Sequence, residues 1–386
     1  MGAFAILSST MSKSPVLNPF AKSLGTPTDL LGVVAAASTI PGIIISLPAA
    51  SLSDIIGRRK VLLFSAFVFA SAPFMYLFVA SWWQLVLVRF YHGFATAIFV
   101  PVTEATVAER FPSKRGERIS ILNSATGAGR TVAPTLGGVI LGLTNNGFST
   151  LYLAVSVAGV TAFVIAFFLL TEKKKSEIQT ADISMFQGWR QLVRNRDVLS
   201  VSFVQASQYY AFGAAEFFIV GYAIDVANLS GFYYGPILSA LTIAIIIARP
   251  AMGRFSDRRG RRTPIIAGGI IGALMLLAIP FSTSFVLLFG LAVGFGLGFA
   301  FVVSSTSPLM VELTSAGLVG SSLGFLSTMM DVGQTLGPIL SGVIGAFAVA
   351  SVGQVNYAAI FISLSLLLIT SSVVFVFSKA AKKKEM

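Results

Sequence analysis

Long apolar runs alternate with short polar interruptions along almost the whole chain. They fall at 2–24, 29–52, 61–80, 82–108, 119–143 and 150–170, and again at 199–225, 232–253, 263–281, 284–310, 318–346 and 355–378. Each is close to the roughly 20 helical residues that cross about 30 Å of hydrocarbon. The pattern predicts an all-α membrane protein with twelve transmembrane helices. The first run has neither a basic start nor a small-residue cleavage site, and it carries Lys13 and two prolines. It is expected to be a span and not a cleavable signal peptide.

One longer polar stretch, residues 171–198, divides the chain into halves of six spans. It reads as a basic cytoplasmic linker between an amino-terminal bundle (1–170) and a carboxy-terminal bundle with a basic tail (199–386). Within it MFQGWRQLVRN could form a short amphipathic surface helix, although a plain connector is the preferred reading.

Composition closes off the alternatives to a membrane protein. Hydrophobic residues make up 55 % of the 386 positions and charged residues 11 %, where soluble globules carry about 25 % charge. The 36 Gly and 33 Phe suit helices that pack closely in lipid. Cysteine is absent, which removes disulfides and thiol chemistry, and the single histidine, His92, leaves little basis for a metal site. No nucleotide-binding motif or nucleophile constellation stands out, so neither an enzyme nor a bound cofactor is expected.

The net charge of +12 changes the picture only through its placement. With both termini cytoplasmic, the inner segments hold Arg58, Arg59 and Lys60, then Arg110, Lys114, Arg115 and Arg118. The linker adds Lys173, Lys174, Lys175, Arg190, Arg194 and Arg196. Arg254, Arg258, Arg259, Arg261 and Arg262 follow, and the tail ends with Lys379, Lys382, Lys383 and Lys384. These are 22 of the 27 basic residues. Such asymmetry is the positive-inside rule, and it argues for a multi-pass protein of the plasma or inner membrane. The charge orients spans and meets lipid headgroups; it is not a nucleic-acid footprint.

The sequence also repeats itself at an offset of about 203 residues. SLSDIIGRRK (51–60) answers GRFSDRRGRR (253–262), so that Asp54 maps to Asp257 and Gly57 to Gly260, each followed by paired arginines. GRTVAPTLGG (129–138) in the fifth span answers GQTLGPILSG (333–342) in the eleventh. Parallel repeats of six spans are a transporter architecture.

On these residues the chain resembles the major facilitator superfamily along its whole length. D-x-x-G-R-R between the second and third spans is similar to the signature loop of that family, with Ala50 where the second copy has Gly253. Leu-Val-Arg-Phe-Tyr-His-Gly (87–93) resembles a fourth-span motif whose arginine, here Arg89, is implicated in proton coupling. His92 replaces the usual polar residue before the glycine. Gly129, Pro134, Gly137 and Gly138 resemble a fifth-span motif associated with antiporters. The resemblance implies a twelve-helix fold in two pseudo-symmetric halves and alternating access between them.

Each motif has a physical reading. A glycine permits a tight cytoplasmic turn, and the loop aspartate can accept bonds from helix-end amides or a nearby arginine. Asp54, Gly57, Arg58 and Arg59, with Gly253, Asp257, Gly260 and Arg261, are the candidate conformational-switch loops. In the fifth span glycines and a proline make a close-packed, kinked helix. Gly290, Gly294 and Gly298 form a small-residue face in the tenth span, read as packing.

Ionisable residues at bilayer depth are costly and mark function. They are Lys13, Arg89, Glu104 and Arg130 in the first half, and Glu216 and Asp331 in the second. Lys13 and Glu216 are equivalent by the 203-residue offset, as are Lys22 and Asp225, the candidate outer gate. Glu216 and Asp331 are candidate proton carriers, since a cation competes with a proton for a carboxylate. Gln205, Gln208, Tyr209 and Tyr210 are expected in a polar-aromatic lining. The leading expectation is a monomeric, proton-coupled exporter of a small organic compound. An importer or facilitator of a metabolite, and a transporter-like sensor or assembly protein, are the alternatives.

Overall fold

The computed structural model describes residues 1–111, 115–170, 192–314, 318–347 and 354–378. The linker up to residue 191 with most of its candidate surface helix, Lys114 and the basic tail lie outside the described residues, as does the Asp54 side chain; the end of that helix, 192–194, is helical. What is described is helical throughout, and each of the twelve apolar runs has its helix.

The third to sixth spans are Arg58–Tyr76, Trp82–Arg110, Arg115–Leu143 and Phe148–Leu169. The seventh to twelfth are Arg196–Asp225, Gly231–Arg259, Arg262–Ala278, Phe285–Leu313, Val319–Phe347 and Tyr357–Phe377. Several run past the apolar stretch at one end, because helical hydrogen bonding continues where the side chains turn polar. The Asn195 side chain accepts from the Asp197 and Val198 amides at the start of the seventh span. Asn356 accepts from the Ala359 amide at the start of the twelfth. Each satisfies amides that a helix start leaves without partners.

The first two spans depart from the expected continuous helices. The first is Gly2–Met11 and Leu17–Ser23, interrupted at Ser12–Val16 around Pro15, which has no amide hydrogen to donate. The second is Leu31–Ala36 and Ile40–Ile56, interrupted at 37–39, with Pro41 tolerated in the first turn of the new helix. Both interruptions are only three to five residues long and are flanked by apolar residues, which is why the hydrophobic pattern reads each as one run.

Two compact units form. The first comprises Met1–Pro27, Val33–Ala181 and Leu229–Ser239; the second comprises Thr28–Gly32, Asp182–Asn228 and Ala240–Met386. Within the first, the first span packs on the fifth and sixth, and the third on the fourth and sixth. Within the second, the seventh packs on the eleventh and twelfth, and the ninth on the tenth and twelfth. These are the same partnerships moved by six spans, so the sequence repeat is also a packing repeat.

Candidate functional site

The loop arginines are held by symmetric sets of partners. Arg58 donates from Nε to Glu109 Oε2 at 2.8 Å and from Nη1 to Ser53 Oγ at 2.9 Å, and Nη2 pairs with Glu109 Oε1. Arg261 donates from Nε to Glu312 Oε1 at 3.1 Å and from Nη1 to Ser256 Oγ at 3.0 Å. It also pairs with Asp257 one turn earlier. Arg58 and Arg261, Ser53 and Ser256, and Glu109 and Glu312 are all related by 203 positions. The glutamates and serines are absent from the sequence reading, although the same offset would have found them.

Gly57 has φ +102° and Gly260 φ +82°, a region that suits glycine. No heavy atom beyond its own neighbourhood comes within 4 Å of a methyl built on Gly260, so its backbone angle is the requirement. Gly253 lies inside a helix, and a methyl there would also meet nothing. The position therefore accepts a side chain, which fits the alanine at the corresponding Ala50. Arg59 is half-buried beside Arg58.

Arg89 is 1 % exposed, deep in the fourth span. Its Nε donates to the Val34 carbonyl at 2.8 Å, and its Nη2 donates to Ala35 O at 3.2 Å and Ser38 Oγ at 2.6 Å. Those carbonyls belong to the last turn before the break in the second span, where helix geometry leaves oxygens unpaired and the dipole favours a cation. Lys13 stands in the break of the first span and is half-buried. Lys22 is half-buried in the last turn of Leu17–Ser23.

Glu104 is half-buried and takes a hydrogen bond from the Asn123 side chain of the fifth span. Arg130 is exposed. In the second unit Glu216 and Asp331 are half-buried in the seventh and eleventh spans. Asp225 is exposed, and its Oδ2 accepts from the Tyr357 hydroxyl at 2.5 Å.

Of the expected lining residues, Gln205 and Gln208 turn into the bundle. Gln205 is 4 % exposed and accepts from Thr306 Oγ1 at 2.7 Å; Gln208 is wholly buried. Tyr209 packs edge-on against Phe299 at 5.1 Å. Half-buried Tyr210 keeps partial exposure.

The fifth-span motif works by close approach. A methyl on Gly129 would lie 2.3 Å from the Ala3 carbonyl oxygen, and one on Gly137 2.9 Å from Pro15. One on Gly138 would lie 2.4 Å from Gly231 O, and one on Gly235 2.5 Å from Pro134 O. Beside these contacts Ser239 Oγ donates to Thr131 O at 2.7 Å and accepts from Thr135 Oγ1 at 2.7 Å. The second unit repeats the arrangement. Gly333 approaches Ala206 O, the offset partner of Ala3, and Gly32 approaches Pro338 O.

Comparison with known proteins follows the same lines. The Major Facilitator Superfamily family model matches residues 1–338 and 227–385. An uncharacterized MFS-type transporter of Methanocaldococcus jannaschii is 23 % identical over 334 residues, 85 % of either chain. Multidrug resistance protein MdtG of Proteus mirabilis is 26 % identical over 307 residues, covering 78 % of this chain and 74 % of that one. The crystal structure of nucleoside transporter NupG superposes with a TM-score of 0.81 at 14 % identity, covering 100 % of this chain and 98 % of that one.

Proposed function

Since the chain belongs to the major facilitator superfamily and is a multi-pass membrane transporter, we propose that it exports a small organic compound in exchange for protons. In this reading two bundles, residues 1–170 and 199–386, alternate access to a substrate cavity. Both termini face the cytoplasm, the protein is a monomer, and it resides in the plasma or inner membrane. The observation that carries the coupling is the placement of charge. Glu216 and Asp331 are half-buried carboxyl groups in apolar spans of the second half, and Lys13 is a half-buried cation at the broken first span. Ionisable groups kept at such cost are the ones that exchange protons and bind charge.

Lys13 and Glu216, equivalent by the repeat, compete with proton and substrate for each other, and Lys22 and Asp225 form the outer gate. The direction is supported by the antiporter-like fifth-span motif and by the name of the MdtG relative. Import or facilitated transport of a metabolite is the second reading.

Inside-out vesicles with an acid lumen test the coupling. Wild-type protein is expected to accumulate its compound, while Glu216→Gln or Asp331→Asn abolishes uphill accumulation and leaves downhill exchange. Uphill transport retained by both variants would remove these carboxylates from the mechanism.

A further inference from the structure

Four residues of the fourth span recur at helical spacing on one face: Arg89, His92, Gly93 and Thr96. Arg89 and Gly93 meet the break in the second span. Arg89 binds its carbonyls and Ser38, and a methyl on Gly93 would lie 2.3 Å from Ser38 O and 2.9 Å from Pro41. His92 and Thr96 meet the first span, whose break begins at Ser12. Thr96 Oγ1 lies 3.1 Å from Ser9 Oγ, and His92 Nδ1 lies 3.4 Å from Ser12 Oγ. A single stripe therefore holds both interrupted helices.

The Ser12 hydroxyl donates to Ser9 O at 2.8 Å, so its proton is spent and its oxygen accepts. Nδ1 of His92 lies between Ser12 Oγ and the Tyr76 hydroxyl, 3.3 Å away, and in the Nδ1–H tautomer the ring donates to them. The ring is 4 % exposed, packed edge-on against Phe69, and its Nε2 has no hydrogen-bond partner. Tyr76, itself stacked on Tyr152 with ring centroids 4.5 Å apart, also touches Arg89. A group so enclosed acts as a strut. Ser12 is the residue immediately before Lys13.

We infer that His92 is a positioning residue: through Ser12 it fixes the break of the first span and thereby the direction in which Lys13 presents its ammonium group. The functional weight of this inference rests on the proposed role of Lys13 in the substrate site; its structural content does not.

Side-chain stereochemistry supplies the test. The amide nitrogen of asparagine falls where His92 Nδ1 lies, and that of glutamine falls near the partnerless Nε2. His92→Asn should therefore replace histidine, whereas His92→Gln, His92→Leu and Ser12→Ala should not. The readout is the acylation rate of Lys13 in the purified full-length protein, measured by mass spectrometry with Lys22 as internal reference. The expected change in the Lys13 to Lys22 ratio is roughly fivefold, the factor one ordinary hydrogen bond corresponds to. It should appear in Ser12→Ala, His92→Gln and His92→Leu and be absent in His92→Asn. Ser12→Ala, the smallest change, keeps the test open where a His92 variant fails to fold. An unchanged ratio in Ser12→Ala and His92→Gln overturns the inference whatever transport does. A shifted ratio with an unchanged transport KM supports the positioning and removes Lys13 from the substrate site.

Discussion

At Arg89, three donated hydrogen bonds tie a guanidinium to a helix end and a serine. Charge-assisted bonds of this kind are each worth about 1.5–3 kcal/mol, and stranding their acceptors costs a desolvation penalty besides. Arg89→Lys should therefore be almost as damaging as Arg89→Ala, because one ammonium cannot reproduce the planar fork. A loss of roughly 2–3 kcal/mol is expected for either, read as a lower midpoint of thermal unfolding in detergent. Arg130→Ala, at an exposed position, should leave that midpoint unchanged. Equal effects at the two sites would deny Arg89 its structural part. Its charge at bilayer depth singled Arg89 out in the sequence. Its partners were not legible there, because they are backbone carbonyls exposed by an interruption that the hydrophobic pattern does not record.

Between spans, glycines set how near two helices can come. Gly138 and Gly231 leave room for backbone against backbone, and the Ser239–Thr135 bond lies about one turn along the same seam. The chain has no cysteine, so paired cysteines at 135 and 239 report on this seam alone. The two hydroxyl oxygens are 2.7 Å apart, close enough for sulfurs in their place to bond. Thr135→Cys with Ser239→Cys should cross-link readily, and adding Gly138→Ala should slow the reaction several-fold. An undiminished rate would mean that the seam does not depend on glycine.

Element by element, the spans were legible because each needs an apolar length that only a helix through lipid requires. The 203-residue offset made Asp257 and Gly260 visible, and it extends to the Glu109 and Glu312 partners that loop motifs alone miss. The breaks were legible only in part. Pro15 signals the first and Pro41 the second, since proline lacks an amide hydrogen and crowds the carbonyl four residues before it; the packing of Arg89 and Gly93 on that second break is what the sequence does not show.

For the whole molecule, the repeat, the packing partnerships and the family agree on a transporter of two related halves. A pairing of Lys13 with Glu216 is the part of the proposal that joins those halves. Removing one member of such a pair strands the other charge at bilayer depth, where it is costly. Lys13→Ala and Glu216→Ala should each lower stability or transport, and the double variant should recover part of the loss. Strictly additive effects in the double-mutant cycle would defeat the pairing.

The central claim is exchange of a small compound for protons, and purified protein in proteoliposomes with an imposed pH gradient tests it most directly. Candidate compounds are screened by the proton flux they elicit, against protein-free vesicles and the Glu216→Gln variant. The account predicts protein-dependent accumulation in the acid compartment, reversing when the gradient is reversed. Accumulation in the alkaline compartment, or equilibration indifferent to the gradient, would contradict it.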